Sequence, residues 1–246
     1  MTQTKPKQIS RREFIQGAGL LLALGYIGQD VYENKKYDRN VKEIYHTLDQ
    51  SVRLIKTDIK YKLGEKDSER KKVSHAYGFV KGDKFYTCNH CVEINEYIQR
   101  HPFGYTRLPA ETIEAKTTMD GVPLEHIIND TDTDIAILQF PEYFSPPSLP
   151  YEFGEPFLGQ EIYVIGHPNL TDINIRNGHV SDINGWNGEE HLFGYNIPLI
   201  GGDSGTPVIG VDGNDLKIVG VSKMKYHGVL SYGIKMLEFD KVMDNV

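Results

Sequence analysis

Three stretches of this 246-residue chain hold side chains suited to chemistry. They are Cys88-Asn89-His90-Cys91, Asp134 ahead of Ile135-Ala136-Ile137-Leu138, and Gly201-Gly202-Asp203-Ser204-Gly205. A serine hydroxyl is a weak nucleophile at neutral pH. It needs an imidazole to take its proton and a carboxylate to fix the imidazole's tautomer. It also needs backbone N–H groups aimed at the oxyanion that forms. Ser204 is the candidate nucleophile, His90 the candidate base and Asp134 the candidate orienting acid. The N–H groups of Gly202 and Ser204 are the candidate oxyanion donors. Each stretch has an ordinary explanation when taken singly. Gly-Asp-Ser-Gly is turn chemistry, His90 is one of nine histidines, and an aspartate before an apolar run marks a turn. Asp130 and Asp132 are expected to face water. A carboxylate in Asp134's place, half under a strand, needs a partner to offset its lost hydration.

The elements that must position these residues are mostly strands. Short β-branched and aromatic runs follow one another from Ser51: "VSHAYGFV", "KFYTCNH", "ETIEAKTTM", "LEHIIND", "DIAILQF", "EIYVIGH", "INIRNGHVSDIN", "HLFGYNI", "GTPVIG", "LKIVGVSKM" and "VLSYGIKM". Turn pairs separate them: Gly82-Asp83, Asp120-Gly121, Asn184-Gly185, Asn187-Gly188 and Asp212-Gly213. "LGEKDSERKK" is expected as a charged hairpin tip. Val41, Ile44, Tyr45, Leu48 and Val52 recur at helical spacing after Asn40, a good cap. "MLEFDKVMDN" predicts a closing helix. The fold class is therefore all-β with one short helix at each end. The proline-rich stretch 141–156 reads as a crossover between two β-halves.

Taken together, the motifs resemble the trypsin-like (chymotrypsin-fold) serine peptidases. "TCNHC", "DIAIL" and "GGDSGTPV" stand in that superfamily's order of His, Asp and Ser. "VIGHP", "GHVSDIN" and "IVGVSKM" look most like its HtrA/Deg branch. The resemblance implies two perpendicular six-stranded barrels, with the triad His90, Asp134 and Ser204 in the cleft between them. It implies peptide-bond hydrolysis through an acyl-enzyme, with protein or peptide substrates and no cofactor. Thr206 stands where a second glycine usually follows the serine–glycine pair. No PDZ-like region is expected after residue 204, and no Ile-Val-Gly-Gly-like amino terminus is visible to pair with Asp203. That carboxylate needs another partner, which the sequence does not name. Pro198, Leu199, Ile200 and Gly201 would line the specificity pocket, favouring small or medium aliphatic residues. Ser222, Lys223 and Met224 would form the strand edge on which substrate lies, with Lys223 favouring acidic neighbours. The alternative is a weakly active or inactive peptide-binding, chaperone-like protein on the same fold.

Cys88 and Cys91 flank the base. No cysteine in "AYGFV" stands ready to pair with Cys91, as often happens in trypsin relatives. Residues three apart in a helical turn lie about 5 Å apart, within disulfide range. Three readings stand: two small buried thiols, a local disulfide formed after export, or a redox switch that moves His90. No metal site is expected, since there is no second Cys pair to complete a zinc set.

The start of the chain reads as an address. Ser10-Arg11-Arg12-Glu13-Phe14-Ile15 resembles a twin-arginine export signal. The uncharged, Gly- and Leu-rich residues 16–29 are shorter than the ~20 that a spanning helix needs. Residues 1–29 are thus expected to be a signal peptide or anchor, 30–50 a linker with a short helix, and 51–246 the peptidase domain. The destination would be across a prokaryotic-type membrane, with membrane contact only through that first segment. Lys5, Lys7, Arg11 and Arg12 crowd the start, so the rest of the chain is more acidic than the net charge of −7 conveys. No basic run or aromatic-studded basic stripe supports nucleic-acid binding.

Overall fold

The computed structural model describes residues 39–48, 50–63, 69–101, 104–166, 173–185, 188–226 and 230–244. The twin-arginine stretch and the rest of 1–38 lie outside the described residues. No helix among the described residues is long and apolar enough to cross a membrane. The chain forms two compact units, Met1–His46 and Thr47–Val246. In the first unit the described residues are helical, part of α1 (39–48). Ile44 is buried there, whereas Tyr45 is exposed. Asn40 lies inside this helix and does not cap it, and Val52, expected on its apolar stripe, instead opens the first strand.

The second unit is two antiparallel barrels. The first contains β1 (Val52–Leu63), β2 (Arg70–Lys81), β3 (Lys84–Cys88), β5 (Gly104–Met119), β6 (Val122–Asp130) and β7 (Ile135–Gln139). Their order is β1-β2-β3-β7-β6-β5, closed by pairing of β1 with β5. An extra strand, β4 (Glu96–His101), hangs on β5 as a hairpin. The second barrel runs β12 (Pro207–Asp212), β9 (Glu161–Gly166), β10 (Asn174–Asp182), β11 (Leu192–Tyr195), β14 (Leu230–Lys235), β13 (Asp215–Tyr226) and closes β13 on β12. A two-residue β8 (Glu152–Phe153) lies parallel to β13. Closure of each sheet removes exposed strand edges. It also sets an inward face every second residue, which explains the alternating burial along β1. The helix α3 (Met236–Met243) ends the chain's described part.

Phe79, Phe85, Met119, Ile135 and Ile137 are fully buried in the first sheet; Phe193, Tyr195, Val208 and Val219 are fully buried in the second. Burying a side chain of this size stabilises by about 1.5–3 kcal/mol before entropy is counted. Tyr86 of β3 packs edge-on to Phe153 of β8 and tilted against Phe239 of α3, joining the two halves. Asp120 and Gly121 both have positive φ between Met119 and Val122, the signature of a tight hairpin turn. β4, the first part of β5 and β8 were not expected from the sequence. Pro109 and the charges of "EYIQRH" break the alternation there; β4 and the first part of β5 are strands through their pairing with each other, and β8 through its pairing with β13.

Candidate active site

His90 rides on α2 (Asn89–Val92), a single helical turn that directly follows β3. This turn is pinned to the residue before β7. Asn89 N–H donates to the Asp134 carbonyl at 2.9 Å. His90 N–H donates to Asp134 Oδ1 at 2.8 Å, and His90 Nδ1 lies 2.8 Å from Asp134 Oδ2. One aspartate therefore fixes both the backbone and the ring of the histidine. Its own conformation is costly: φ is +66°, in the left-handed region that disfavours a side chain. The turn before it supports that geometry, since Asp130 accepts hydrogen bonds from Asp132 N–H and from Thr133 Oγ1. Asp132 faces water as expected, but Asp130 is half-buried and structural.

Asp134 is 13 % exposed and His90 47 %, so the ring is open on one side only. Burial disfavours the imidazolium, but the charge and hydrogen bonds of Cys91 and Asp134 outweigh it and hold its pKa well above the ordinary histidine value. Burial pushes the Cys88 thiol well up. Cys91 is held well below the usual thiol range by the hydrogen bond from Cys88, and by His90, against its burial. Both cysteines are free thiols. Cys88 Sγ donates to the Ser222 carbonyl at 3.3 Å, and Cys91 Sγ lies 3.8 Å from the Ser204 carbonyl. The histidine turn and the serine loop are therefore neighbours across the cleft.

The serine loop hangs between β11 and β12. Asp203 is fully buried, and Arg176 of β10 is its partner: Nη2 donates to Oδ2 at 2.7 Å. Arg176 Nη1 donates to the Pro198 carbonyl at 2.6 Å, and Ile200 N–H donates to Asp203 Oδ2 at 2.6 Å. One guanidinium thus braces the loop at two points, doing the work the sequence left without an agent. A side chain at Gly166 would collide with this pair. Gly205 has φ +87° and lies against the Tyr77 carbonyl and Thr87 Oγ1, where a Cβ would not fit. Gly202, with φ +103°, also takes a conformation open mainly to glycine. The Thr206 hydroxyl donates to the Asp203 carbonyl at 2.6 Å, which gives that departure from the usual glycine a structural use.

Ser204 Oγ donates to the Lys223 carbonyl at 3.1 Å and makes no hydrogen bond to His90. Ser222 is buried, its carbonyl accepting from Gly205 N–H at 2.8 Å and its N–H donating to the Thr206 carbonyl at 2.8 Å. Its Oγ is 3.3 Å from Tyr195 Oη. Lys223 is 15 % exposed and places Nζ 3.9 Å from Asp134 Oδ2. It therefore faces the acid of the site. Leu199 belongs to the core of the second barrel, with its N–H on Ser231 Oγ at 3.0 Å. Pro198, Ile200 and Gly201 are exposed. Met224 lies on β13, paired with Tyr232 of β14. Sequence reasoning missed Arg176. Its place opposite buried Val164 is visible only in the fold, and no local signal in the sequence marks it.

Two closed barrels joined by a crossover, with an aspartate-clamped histidine facing a Gly-Asp-Ser-Gly loop, define the architecture of a trypsin-like peptidase. The sequence matches the trypsin-like peptidase domain family over residues 77–221, more than half of the chain, and the protein belongs to that family. The fold is similar to a serine endoprotease from Yersinia pestis, at TM-score 0.53 and 13 % identity, covering 81 % of this chain and 64 % of that one. It is likewise similar to the inactive form of the Rv3671c protease of M. tuberculosis, at TM-score 0.52 and 18 % identity, covering 82 % and 91 %. No curated protein sequence matches the chain.

Proposed function

We propose that the protein is an exported serine endopeptidase whose triad is His90, Asp134 and Ser204. The observation that carries this reading is the double grip of Asp134 on His90, at 2.8 Å to the backbone and 2.8 Å to Nδ1. That grip leaves Nε2 as the nitrogen for a nucleophile's proton. In the proposed cycle Ser204 Oγ leaves the Lys223 carbonyl, gives its proton to His90 Nε2 and attacks the scissile carbonyl carbon. Asp134 stabilises the imidazolium, and the N–H groups of Gly202 and Ser204 receive the oxyanion. His90 then protonates the leaving amine, and water releases the acyl group by the same route in reverse. Substrate backbone would pair along β13 from Lys223 onward, because Ser222 is already paired with the serine loop. Pro198 and Ile200 supply apolar pocket surface and no acid, which favours aliphatic residues there.

A fluorophosphonate probe tests the reading. Wild-type protein should be labelled, and Ser204→Ala should not. One observation favours the alternative, a weakly active peptide binder: the hydroxyl rests on the Lys223 carbonyl. Folded wild-type protein that binds peptides but resists the probe would establish that alternative. Export is proposed from Arg11-Arg12 and the uncharged segment after them. Replacing both arginines by lysine should strand the protein inside the cell; unchanged export would remove this part of the proposal.

A further inference from the structure

The cleft holds a further donor set, in which Cys88, a residue the peptidase chemistry does not use, joins His90 and Asp134. Cys88 Sγ, a ring nitrogen of His90 and a carboxylate oxygen of Asp134 lie within 4.8 Å of one another. The sequence discouraged a metal reading because only one pair of cysteines was present. The fold changes that count, since Asp134 arrives from 44 positions away in the chain. The donors are one sulfur, one nitrogen and one oxygen. This is a zinc-type set; magnesium and calcium call for shells of oxygen. In a tetrahedral zinc shell such donors stand about 3.4–3.6 Å apart. Nδ1 and Oδ2, now at 2.8 Å, would part slightly to admit an ion, and the thiol would draw in. Two of the three donors are buried, and the half-exposed imidazole leaves a way in. Lys223 Nζ, 3.9 Å from Oδ2, is the one nearby cation among the described residues that an entering ion must displace.

We propose that Cys88, His90 and Asp134 form an inhibitory site for one zinc-like divalent cation. The inference deepens the serine-peptidase reading and rests on it, because two of the ligands are triad residues. On binding, the Cys88 S–H bond breaks, the proton goes to solvent, and the thiolate pair becomes the bond to the metal. Coordination at His90 Nδ1 displaces that nitrogen's proton, to Nε2 when the ring starts neutral and to solvent when it starts as the imidazolium, and either way leaves a neutral ring protonated at Nε2. Nε2 can then no longer accept the proton of Ser204, and the base is blocked while the ion stays. Removal of the ion reverses every step.

Cobalt(II) is the probe, added to reduced, metal-free Ser204→Ala protein of full length. One equivalent should produce a thiolate-to-cobalt charge-transfer band with the visible bands of a tetrahedral ion. Cys88→Ser on the same background keeps a donor for the Ser222 carbonyl and should lose the charge-transfer band. Cys91→Ser should keep it. Lys223→Met should bind cobalt at least several-fold more tightly. In the active protein, zinc should inhibit cleavage reversibly. The half-inhibitory concentration, taken against each variant's own metal-free rate, should rise at least tenfold in Cys88→Ser. Absence of the band, its survival in Cys88→Ser, or equal zinc sensitivity in the two proteins would overturn the site. A clean cobalt site in protein that no fluorophosphonate labels would support the metal site and bring down the peptidase reading instead.

Discussion

The two arms of the proposed site are held in different ways. On the first barrel the base is locked: three hydrogen bonds run from α2 to Asp134, and the acid's strained backbone is supported by its own turn. On the second barrel the loop is braced but the nucleophile is not. Arg176 and Asp203 fix the chain around Ser204, while its hydroxyl is held by a single bond to the Lys223 carbonyl. A packed carboxylate pair costs several kcal/mol to disrupt, whereas one neutral hydrogen bond contributes about 1 kcal/mol. The imidazole is thus positioned before substrate arrives, and in the proposed cycle the serine is the part that must turn. Hydrogen bonds of a catalytic serine are often long or misaligned without substrate, so this difference is compatible with activity.

The largest effect should come from breaking the locked arm. Asp134→Asn keeps the shape but frees the wrong tautomer of His90. A fall in kcat of ~10⁴ with little change in KM is expected. Steady-state rates on a peptide substrate check this, and a change of less than tenfold would show that Asp134 does not orient the base.

Breaking the brace on the other arm should cost less. Arg176→Ala leaves Asp203 buried and unpaired, which typically costs ~3–5 kcal/mol of stability. It also loosens the loop that carries the proposed oxyanion donors, so kcat should fall by ~10²–10³, about the loss of one donor. Arg176→Met with Asp203→Asn removes the stranded charge and should recover the stability while leaving kcat low. Denaturant midpoints and rates together separate the two roles. Recovery of kcat in the double variant would mean that Arg176 acts through folding alone.

The same contrast explains what the sequence could reveal. The meeting of His90 with Asp134 near the Ser204 loop was legible because each stands in a stretch whose local chemistry is unusual, and because their order is informative; their roles as a triad are the proposal. The all-β class was legible from alternation and turn pairs, and the two barrels from the resemblance that the three motifs carry. Arg176 was not, because its partner lies across a strand and a loop, and nothing local marks an arginine that will be buried. Leu199 looked like pocket wall, but its place in the second barrel's core depends on the loop's path after β11. The rest position of the Ser204 hydroxyl is a torsion chosen by a carbonyl 19 residues away, and no local pattern encodes it.

The smallest expected effect concerns the platform beneath the base. A polar chain runs through the first barrel: Thr57 Oγ1 to Thr117 Oγ1 at 3.0 Å, Thr117 to His126 Nε2 at 2.8 Å, His126 Nδ1 to Asn129 Nδ2 at 3.0 Å. Asn129 then donates to Glu93 at 2.6 Å, and Asn89 of α2 donates to the same carboxylate at 3.2 Å. Burial holds the His126 pKa below the ordinary value of 6.5, so the unfolded chain takes up the proton first as pH falls. His126's contribution to stability is therefore full above pH 6.5 and declines below it until its folded pKa is passed. His126→Gln, which keeps a donor and an acceptor, should flatten that decline. The difference in Tm drop between pH 7.5 and 5.5 should be about 2 °C or less for a domain of this size. The locked arm stands on this chain and the serine loop does not. Below pH 6.5, the protection of the Asn89 and His90 amides against hydrogen exchange, taken relative to the intrinsic rate at each pH, should therefore fall before that of Gly205. An equal loss of protection at both would mean that the two arms are not held independently.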